Sequence, residues 1–421
     1  MRLLYNIGIY FYVFAASIMS LFDVKARLWT DGRKGWKDLL RQRIVRGEKY
    51  IWIHCASLGE FEQGRPVIEA IRKNMSDKKI ILTFFSPSGY EIRKNYKGAD
   101  IVCYLPADTP GNASSFVSMV NPEIAIFVKY EFWENYTLAL RKKGVPLYLI
   151  SGIFRTDQHF FKWYGSFFRK ILFRFTHMFV QDQASLELLR GTGLKNVSLA
   201  GDTRFDRVLE IAGSANEIPL LNTFRNGGKL FLAGSSWKPD EEIISRYINM
   251  DPMRMKWVFA PHEINDSNIS RLESLFSTTV VRFSGLTAEN ADARVLIIDN
   301  IGMLSSAYQY AYIAAIGGGF GKGIHNILEA ACWGVPVIFG PNHKNFREAV
   351  DLINQKGAAS FKTFDEFSDI VNRWLTDDEF YLKSAKTARE YINQNAGATR
   401  VIMSEITLKD INNQGSKLVN N

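Results

Sequence analysis

A glycine-rich segment near residue 320 contains the residue types that hold an anionic ligand. The apolar run 313–316 predicts a strand, three glycines follow it at 317–319, and a His-Asn pair at 325–326 opens a predicted helix. Glycine has no Cβ, so backbone N–H groups can approach a phosphate, and a helix N-terminus favours an anion. Glu329 lies one turn later, where its carboxylate can accept both ribose hydroxyls. The spacing predicts nucleotide binding; the alternative is a tight turn with Glu329 in solvent.

A second candidate is Glu60, which follows the apolar run 50–54 across a Ser-Leu-Gly turn. That position is at the edge of a predicted sheet, where we expect an acceptor to sit. A general base must reach the acceptor hydroxyl and remain deprotonated near neutral pH, and a helix N-terminus favours a carboxylate. Glu60 is therefore a candidate base, and a helix-capping acid is the alternative.

Polar residues also follow two strands predicted in the second half of the chain. Pro261 and His262 come just after one of them, and an imidazole with backbone amides can contact a pyrimidine and a phosphate without a metal. Ser235, Ser236 and Lys238 follow the other, with hydroxyls and a cation suited to a phosphate or carboxylate. The alternatives are a strand-terminal turn and an N-cap.

Two further sites are predicted at turns. The segment Ile301-Gly302-Met303 opens the turn before a predicted helix, and a structural helix start is its alternative. Glu131 follows the apolar run 124–128, where it either positions an acceptor or pairs with a nearby lysine. The sequence has no Asp-x-Asp pair or clustered His, Asp and Glu set that would indicate magnesium, so we expect metal-independent chemistry. Helix N-termini and cations would then stabilise the leaving group.

These residues need two α/β domains to position them. Short β-branched runs alternate with helical stretches from residue 50 onward, which is typical of parallel sheets with crossover helices. Strands are predicted at 50–54, 80–84, 101–104, 124–128, 147–150, 178–180, 197–199, 230–233, 256–260, 279–282, 295–298, 312–316 and 335–339. The periodicity lapses at 213–228, so we place the linker at 203–228. We expect two Rossmann-like domains with a ligand cleft at the strands' carboxyl ends, and a last helix at 377–410 that packs back on the first domain.

Bulk composition agrees with folded domains and an anionic partner. The chain has 421 residues, 47% hydrophobic and 23% charged, with a formal net charge of +9. The charge suits nucleic acid, acidic lipid or a phosphorylated substrate. Cys55, Cys103 and Cys332 lack metal-site spacing and are predicted to be buried, reduced thiols.

The first residues favour a membrane. Residues 3–22 carry no charge and can span roughly 30 Å as a helix. Nine basic residues then outnumber three acidic ones, which places the following chain on the cytoplasmic side: Lys25, Arg27, Arg33, Lys34, Lys37, Arg41, Arg43, Arg46 and Lys49 against Asp31, Asp38 and Glu48. A cleaved signal peptide and a helix lying in the interface are the alternatives. We favour a membrane anchor at 1–24 and leave its depth open.

At these motifs the chain resembles a known family, the 3-deoxy-D-manno-octulosonic acid (Kdo) transferases of lipopolysaccharide synthesis. The resemblance covers essentially the whole chain, including the N-terminal apolar segment. Its motifs are HCASLGE at 54–60, TFFSPSG at 83–89, YLPAD at 104–108, EFW at 131–133, GDTRFD at 201–206, GSSW at 234–237, APHE at 260–263, DNIGML at 299–304, HNILE at 325–329 and GVP at 334–336. Several ordered motifs at compatible spacing are far more specific than one.

The resemblance implies a glycosyltransferase B fold of two facing Rossmann-like domains, here 25–205 for the acceptor and 206–421 for the donor. It implies inverting transfer of Kdo from CMP-Kdo to a lipid A precursor, lipid IVA, at the cytoplasmic face of the inner membrane, with Glu60 as proton acceptor. Donor contacts carry over to Pro261, His262, Ile301, Gly302, Met303, Asn326, Ile327, Leu328 and Glu329. Further donor or acceptor contacts are expected at Glu131, Ser235, Ser236, Lys238, Gly318, Gly319 and His325. The family typically has a glutamate where this chain has Met303, so only a backbone contact is expected there.

Three other functions compete with this hypothesis. A membrane-associated glycosyltransferase of the same fold would use a uridine nucleotide, and a soluble sugar-nucleotide epimerase would not need the apolar N-terminus. A nucleic-acid-binding protein would account for the charge, but the sequence has no basic and aromatic motif of that kind. We therefore expect a lipid acceptor and a membrane surface as partners, and no nucleic acid.

Overall fold

The computed structural model describes residues 1–250 and 255–406, which form two compact units. The first unit comprises residues 1–207 together with the described residues from Ala396 onward, and the second comprises Val208–Asn395. Each unit is built on one parallel sheet covered by helices on both faces. The predicted α/β class is confirmed.

The sheet of the first unit has seven strands in the order β3-β2-β1-β4-β5-β6-β7, all parallel. The strands are β1 Tyr50–Cys55, β2 Lys79–Phe84, β3 Ile101–Tyr104, β4 Pro122–Val128, β5 Leu147–Gly152, β6 His177–Val180 and β7 Val197–Leu199. The helices are α1 Arg2–Met19, α2 Val24–Asp31, α3 Trp36–Arg43, α4 Leu58–Asn74, α5 Pro87–Arg93, α6 Pro110–Val120, α7 Glu134–Lys142, α8 Ser166–Leu172, α9 Gln183–Gly191 and α10 Thr203–Gly213. The strand order reverses between β1 and β4, so the loops after these two strands diverge and leave a crevice between them.

Strand β1 shows why this sheet is fully covered. All six of its residues are buried, as expected for a parallel strand between two layers of helices. Side chains alternate across the sheet, so Tyr50 and Trp52 pack in one apolar cluster with Phe116, while Ile51 and Ile53 pack in the other. Both faces of β1 are therefore core.

The second unit repeats the plan with seven parallel strands in the order β10-β11-β9-β8-β12-β13-β14. The strands are β8 Leu230–Ser236, β9 Lys256–Pro261, β10 Val280–Arg282, β11 Val295–Ile297, β12 Ile313–Ile316, β13 Val337–Phe339 and β14 Ala358–Ser360. The helices are α11 Pro219–Arg225, α12 Lys238–Met250, α13 Asp266–Glu273, α14 Leu304–Ala307, α15 Leu328–Ala331, α16 Arg347–Asn354, α17 Phe364–Thr376 and α18 Asp378–Asn395. All thirteen predicted strands are present, and most of their ends lie within one or two residues of the predicted positions. Only β14 was missed, because three small residues carry no strand signal.

The boundary between the two units follows residue 207, within the stretch 203–228 where we placed the linker. That stretch is largely helical, since α10 and α11 occupy it, and α11 was not predicted; it begins with Pro219 in its first turn and buries Leu221 and Phe224. Its seven residues are too few to show a clear helical period.

The helix predicted at 377–410 is interrupted. α18 ends at Asn395, Gly397 adopts a φ of 112°, and helical residues resume at 398–406. The Asp206 carboxylate accepts the backbone N–H groups of Gly397 and Thr399 at 2.5 and 2.7 Å, which caps the new helix. Ile402 and Ile406 then pack in the same apolar cluster as Ile51 and Ile53. The predicted residues 407–410 lie outside the described part of the chain.

The three cysteines are buried, as predicted. Arg33, one of the basic residues that follow the N-terminal apolar run, is partly buried. Its guanidinium donates to the carbonyls of Trp29, Phe85 and Leu105 at 2.7 to 2.8 Å and lies 3.9 Å from the Trp29 ring centroid. This cation therefore supports the fold.

Candidate functional site

In the first unit, Glu60 lies directly beyond the carboxyl end of β1. Ser57 caps helix α4 by accepting the Glu60 N–H at 3.4 Å, and one carboxylate oxygen of Glu60, Oε2, accepts the Ala56 N–H at 2.5 Å. This reciprocal arrangement resembles a capping box. The capping alternative therefore describes part of what Glu60 does. Among the described residues no hydrogen bond reaches its other oxygen, Oε1, so one oxygen can accept a proton.

The surroundings of Glu60 change its acidity. Burial raises the pKa of its carboxyl to about 8, and the nearby carboxylate of Glu131 acts in the same direction. The Ala56 N–H and the ammonium group of Lys129 oppose the rise. A carboxylate with a pKa near neutral pH, beside the crevice between β1 and β4, has the proton affinity that a general base needs.

Glu131 follows β4 and is held by the buried His54 and the partly buried Trp133. Its Oε2 lies 2.8 Å from Nε2 of His54 and accepts the Trp133 indole N–H at 2.6 Å. The other ring nitrogen of His54, Nδ1, lies 2.9 Å from the Thr83 hydroxyl, which accepts the Trp52 indole N–H. The structure pairs Glu131 with a histidine on the neighbouring strand, so the predicted lysine pairing is wrong.

This network leads to a stability prediction for Glu131→Gln. The amide keeps the volume but removes the charge that His54 and Trp133 donate to, so we expect the free energy of unfolding to fall by about 1–3 kcal/mol. Urea denaturation monitored by circular dichroism would measure it. Glu123→Gln, on strand β4 just before Glu131, is the control. The Glu123 carboxylate lies 2.9 Å from the ammonium of Lys78, both side chains are partly exposed, and exposed pairs of this kind contribute about 0–1 kcal/mol. Equal losses in both variants would contradict a special role of the network.

Sequence reasoning missed Lys129, whose charge acts on Glu60. Its backbone has a φ of 69°, uncommon for a residue with a side chain, and its N–H donates to the Ile150 carbonyl at 2.9 Å. Burial lowers the pKa of its ammonium group, as does the nearby Arg204, while Glu60 raises it. Lys129 thus supplies positive charge close to the candidate base. A polar residue directly after a buried strand was the only sequence signal for it.

In the second unit, three rings stack beyond the carboxyl ends of β8, β9 and β12. The His262 ring stacks against both Trp237 and His325, with centroid distances of 4.5 and 4.6 Å, and the Trp237 and His325 rings are nearly coplanar. The Trp237 indole N–H donates to Nε2 of His325 at 3.0 Å. Burial and the neighbouring His262 lower the pKa of His325, which agrees with a neutral ring that accepts this bond. Trp237 belongs to a recognised motif but was not among the predicted site residues.

The glycines at 317–319 have a different role from the one predicted. A Cβ on Gly317 would lie 2.1 Å from the Ser235 carbonyl oxygen, and one on Gly319 would lie 2.6 Å from the Gly340 backbone. The Gly318 N–H donates to Asp240 at 3.2 Å and the Gly317 N–H donates to the Gly234 carbonyl at 3.0 Å. These two N–H groups are already occupied and are not available to a phosphate, and Gly317 and Gly319 allow neighbouring backbone segments to approach each other.

The helix after the glycines is also shorter than expected. It begins at Leu328 and not near His325, and it has four residues. Glu329 is partly buried: its Oε1 accepts from the Asn326 side chain at 3.0 Å and its Oε2 accepts from the Ser305 hydroxyl at 2.6 Å. The alternative of a solvated Glu329 is therefore wrong. Ser305, which sequence reasoning missed, comes from α14, whose N-cap is Met303, so the segments at 301–303 and 326–329 lie together.

Some of the remaining predicted donor-binding residues have exposed side chains, and others have buried ones. His262 is exposed, and Ile301 is 92% exposed. Pro261, Ile327 and Leu328 are buried, so their backbones alone can contact a ligand. The Ser236 hydroxyl is buried and donates to Glu241 at 2.8 Å, so the predicted contact from this hydroxyl is not available.

The last two predicted polar residues lie near the start of α12. Ser235 is partly buried with a φ of 50°, and Lys238 is exposed with its ammonium 3.8 Å from Glu242. Over residues 1–250 and 255–406 no group of three or more His, Cys, Asp or Glu side chains is arranged to hold a metal.

Comparison with known proteins provides an independent line of evidence. Residues 31–207 match the family model described as 3-deoxy-D-manno-octulosonic-acid transferase (Kdo transferase). A 3-deoxy-D-manno-octulosonic acid transferase of Aquifex aeolicus is 28% identical over 316 residues, covering 73% of this chain and 80% of that protein. The enzyme of the same name from Rickettsia bellii is 25% identical over 363 residues, covering 84% of each.

A solved structure shares the fold. The UDP-GlcNAc 2-epimerase from Neisseria meningitidis, bound to UDP-GlcNAc, superposes with a TM-score of 0.60 at 14% identity, covering 85% of this chain and 99% of that one. At such low identity the likeness shows the fold alone. The two Rossmann-like units therefore agree with the glycosyltransferase B type of architecture.

Proposed function

We propose that this chain, whose residues 31–207 match the Kdo transferase family model, is a glycosyltransferase that transfers Kdo from CMP-Kdo to lipid IVA, a lipid A precursor, in lipopolysaccharide synthesis. The observation that carries the proposal is Glu60, which lies within the matched domain at the reversal of strand order. Its free oxygen and raised pKa suit removal of a proton from an acceptor hydroxyl.

We propose that the transfer inverts the anomeric centre. The acceptor hydroxyl oxygen attacks the anomeric carbon of Kdo as its proton passes to Oε1 of Glu60. The bond from that carbon to the phosphate oxygen of CMP breaks, and CMP leaves with the electron pair. Lys129 lowers the pKa of Glu60 and so keeps a larger fraction of the base deprotonated.

The donor is proposed to bind in the second unit. Glu329, held by Asn326 and Ser305, has the two acceptor oxygens that ribose hydroxyls require. The exposed His262 can contact the base or the phosphate, with His325 fixing its orientation by stacking. We propose that Lys238 and backbone N–H groups balance the phosphate charge without a metal, since the sequence has no Asp-x-Asp pair.

A lipid acceptor requires an enzyme at a membrane surface. Helix α1 is the one helix in residues 1–250 and 255–406 that is long and apolar enough to cross a membrane, by length and composition alone. Exposed Lys25 and Arg27 follow it and can attract anionic head groups. We propose attachment to the cytoplasmic face of the inner membrane, with no nucleic acid partner.

The direct test is donor choice and product mass. We expect the purified enzyme, supplied with a CMP-Kdo-generating system and lipid IVA, to yield products heavier by whole Kdo units in mass spectrometry. CMP should compete with the donor far more strongly than UMP. Inhibition by UMP but not by CMP, with no Kdo product, would indicate a uridine-nucleotide enzyme instead.

A further inference from the structure

Helix α1 has the reverse of the polarity expected for a surface helix of a soluble protein. Its polar residues Arg2, Tyr5 and Asn6 contact the rest of the first unit. Its outward residues are apolar and between 46% and 72% exposed, namely Leu3, Leu4, Ile7, Tyr10, Phe11, Phe14 and Ile18. Leaving seven large apolar side chains in water is unfavourable, so this face needs an apolar partner.

Hydrogen bonds hold the N-terminal end of α1 on the folded unit. The Tyr5 hydroxyl donates to Oδ2 of Asp108 at 2.7 Å, and the buried Asp108 also accepts the N–H groups of Asn135 and Tyr136 at 3.0 and 2.9 Å. The Asn135 side chain donates to Asn6 at 2.9 Å. These bonds join α1 to the first turn of α7, so the first two turns of α1 are part of the unit's own structure.

The middle of α1 is held as well. The Tyr12 ring lies 5.4 Å from the Trp29 ring and 6.3 Å from the Phe85 ring, measured between centroids. Contacts from Tyr5 to Tyr12 therefore follow the helix over about 10 Å at 1.5 Å rise per residue. A helix that crossed a bilayer would place its N-terminal turns in hydrocarbon or on the far side, away from Asp108 and Asn135. Crossing and these contacts exclude each other.

A second exposed aromatic group is connected to α1 through a series of ring contacts. Trp163 is 91% exposed, and Tyr164 beside it is 47% exposed. A series of ring contacts of 5.4 to 6.0 Å connects Tyr164 to Tyr5 of α1 through His159, Phe168 and Phe167. Trp and Tyr are enriched where a protein meets the head groups of a bilayer.

We infer that α1 lies in the plane of the membrane interface, with its outward face in the lipid of one leaflet, and that Trp163 is a second contact with the same leaflet. The inference rests on the membrane attachment proposed above and specifies its geometry. The partner is a bilayer surface with anionic head groups, because the exposed cations Lys25 and Arg27 follow the apolar face.

The position of the N-terminus distinguishes this geometry from a crossing helix. A protease site is added before Met1 of the full chain, and the protein is bound to the outside of sealed vesicles of phosphatidylethanolamine and phosphatidylglycerol. We expect added protease to cleave the site. Protection of the site that persists until detergent is added would overturn the inference, because it would place the N-terminus across the bilayer.

The apolar face is tested by Phe11→Glu combined with Phe14→Glu. We expect this double variant to bind the same vesicles at least about tenfold more weakly in flotation assays, and Trp163→Ala to bind more weakly than wild type. Leu382→Glu is the control, because Leu382 is 65% exposed on α18 and should not alter binding. If the double variant bound vesicles as strongly as wild type, the inference would be overturned. It would also be overturned if the wild-type protein formed a stable dimer that buries α1 and did not bind vesicles.

Transfer to detergent-dispersed lipid IVA separates this inference from the proposed function. We expect the double variant to retain the wild-type rate there, since Phe11 and Phe14 are 69% and 62% exposed on α1 and neither is a candidate site residue. Wild-type protein that binds vesicles through α1 but transfers no Kdo in detergent would refute the function and leave the membrane geometry standing. A double variant that loses transfer in detergent while still binding vesicles would refute the membrane role of this face.

Discussion

Glu60→Gln is expected to lower the rate of Kdo transfer by about 100-fold to 10,000-fold, the range that a positioned general base contributes. Glutamine keeps the shape and can still accept the Ala56 N–H, but it cannot take up the acceptor's proton. CMP affinity, measured by calorimetry, should be unchanged because the proposed donor residues are in the second unit. The matched control is Glu62→Gln, since Glu62 pairs with Arg93 at the surface of the same helix and should retain near-wild-type activity.

The pH dependence of transfer provides a second signature of Glu60. A base with a pKa of about 8 is active in its deprotonated form, so kcat/KM should rise through pH 8 and fall about tenfold per unit well below it. Lys129→Met should move this rise to higher pH, because the lysine charge lowers the pKa of Glu60. Wild-type activity in Glu60→Gln would show that Glu60 is not the base. An unchanged pH profile in Lys129→Met would contradict the assignment of this pKa to Glu60.

The raised pKa of Glu60 also affects the stability of the fold, which should fall with rising pH whereas activity rises. The pKa of Glu60 rises from 4.5 to about 8 on folding, so its contribution to stability is full below pH 4.5 and is lost as pH rises through 8. Glutamine remains neutral throughout. Thermal unfolding should therefore show Glu60→Gln at least as stable as wild type near pH 8, which separates lost catalysis from lost folding.

Glu329→Gln is expected to weaken CMP binding by about tenfold to 100-fold, because hydrogen bonds to a charged group contribute about 1.5–3 kcal/mol. The amide has one acceptor oxygen where the carboxylate has two, and its NH₂ group would face the Asn326 amide or the Ser305 hydroxyl. Ser305→Ala should have a smaller effect in the same direction, since it removes one of the groups that hold the carboxylate. Isothermal titration with CMP measures both.

The control for this prediction lies in the same unit. Glu390 is half exposed with its carboxylate 3.8 Å from Lys386, and Glu390→Gln should leave CMP affinity within error. Unchanged affinity in Glu329→Gln would mean that this carboxylate does not contact the nucleotide. Stable folding of Glu329→Gln should be checked by its unfolding midpoint, because Glu329 also links α14 to α15.

The sequence by itself determined the repeating strand and helix pattern of both units. A buried parallel strand requires a continuous apolar run, as in β1, and this signal is local and readable. The positions of Glu60 and His262 just after such runs were equally local, because the carboxyl ends of parallel strands share one edge of the sheet. Short or weakly apolar elements, such as β14 and α11, carried too few residues to show a period.

Tertiary structure alone decided which side chains meet. His54 and Glu131 are 77 positions apart in the sequence and become partners because β1 and β4 are neighbours in the sheet. Asp240 accepts the Gly318 N–H across 78 positions, so this N–H group is not available to a phosphate. The pKa of Glu60 likewise depends on burial and on charges that another strand brings close. The local sequence pattern thus predicted which polar residues follow the strands. The partners of these residues and their pKa values depend on strand order, burial and distances in the folded chain.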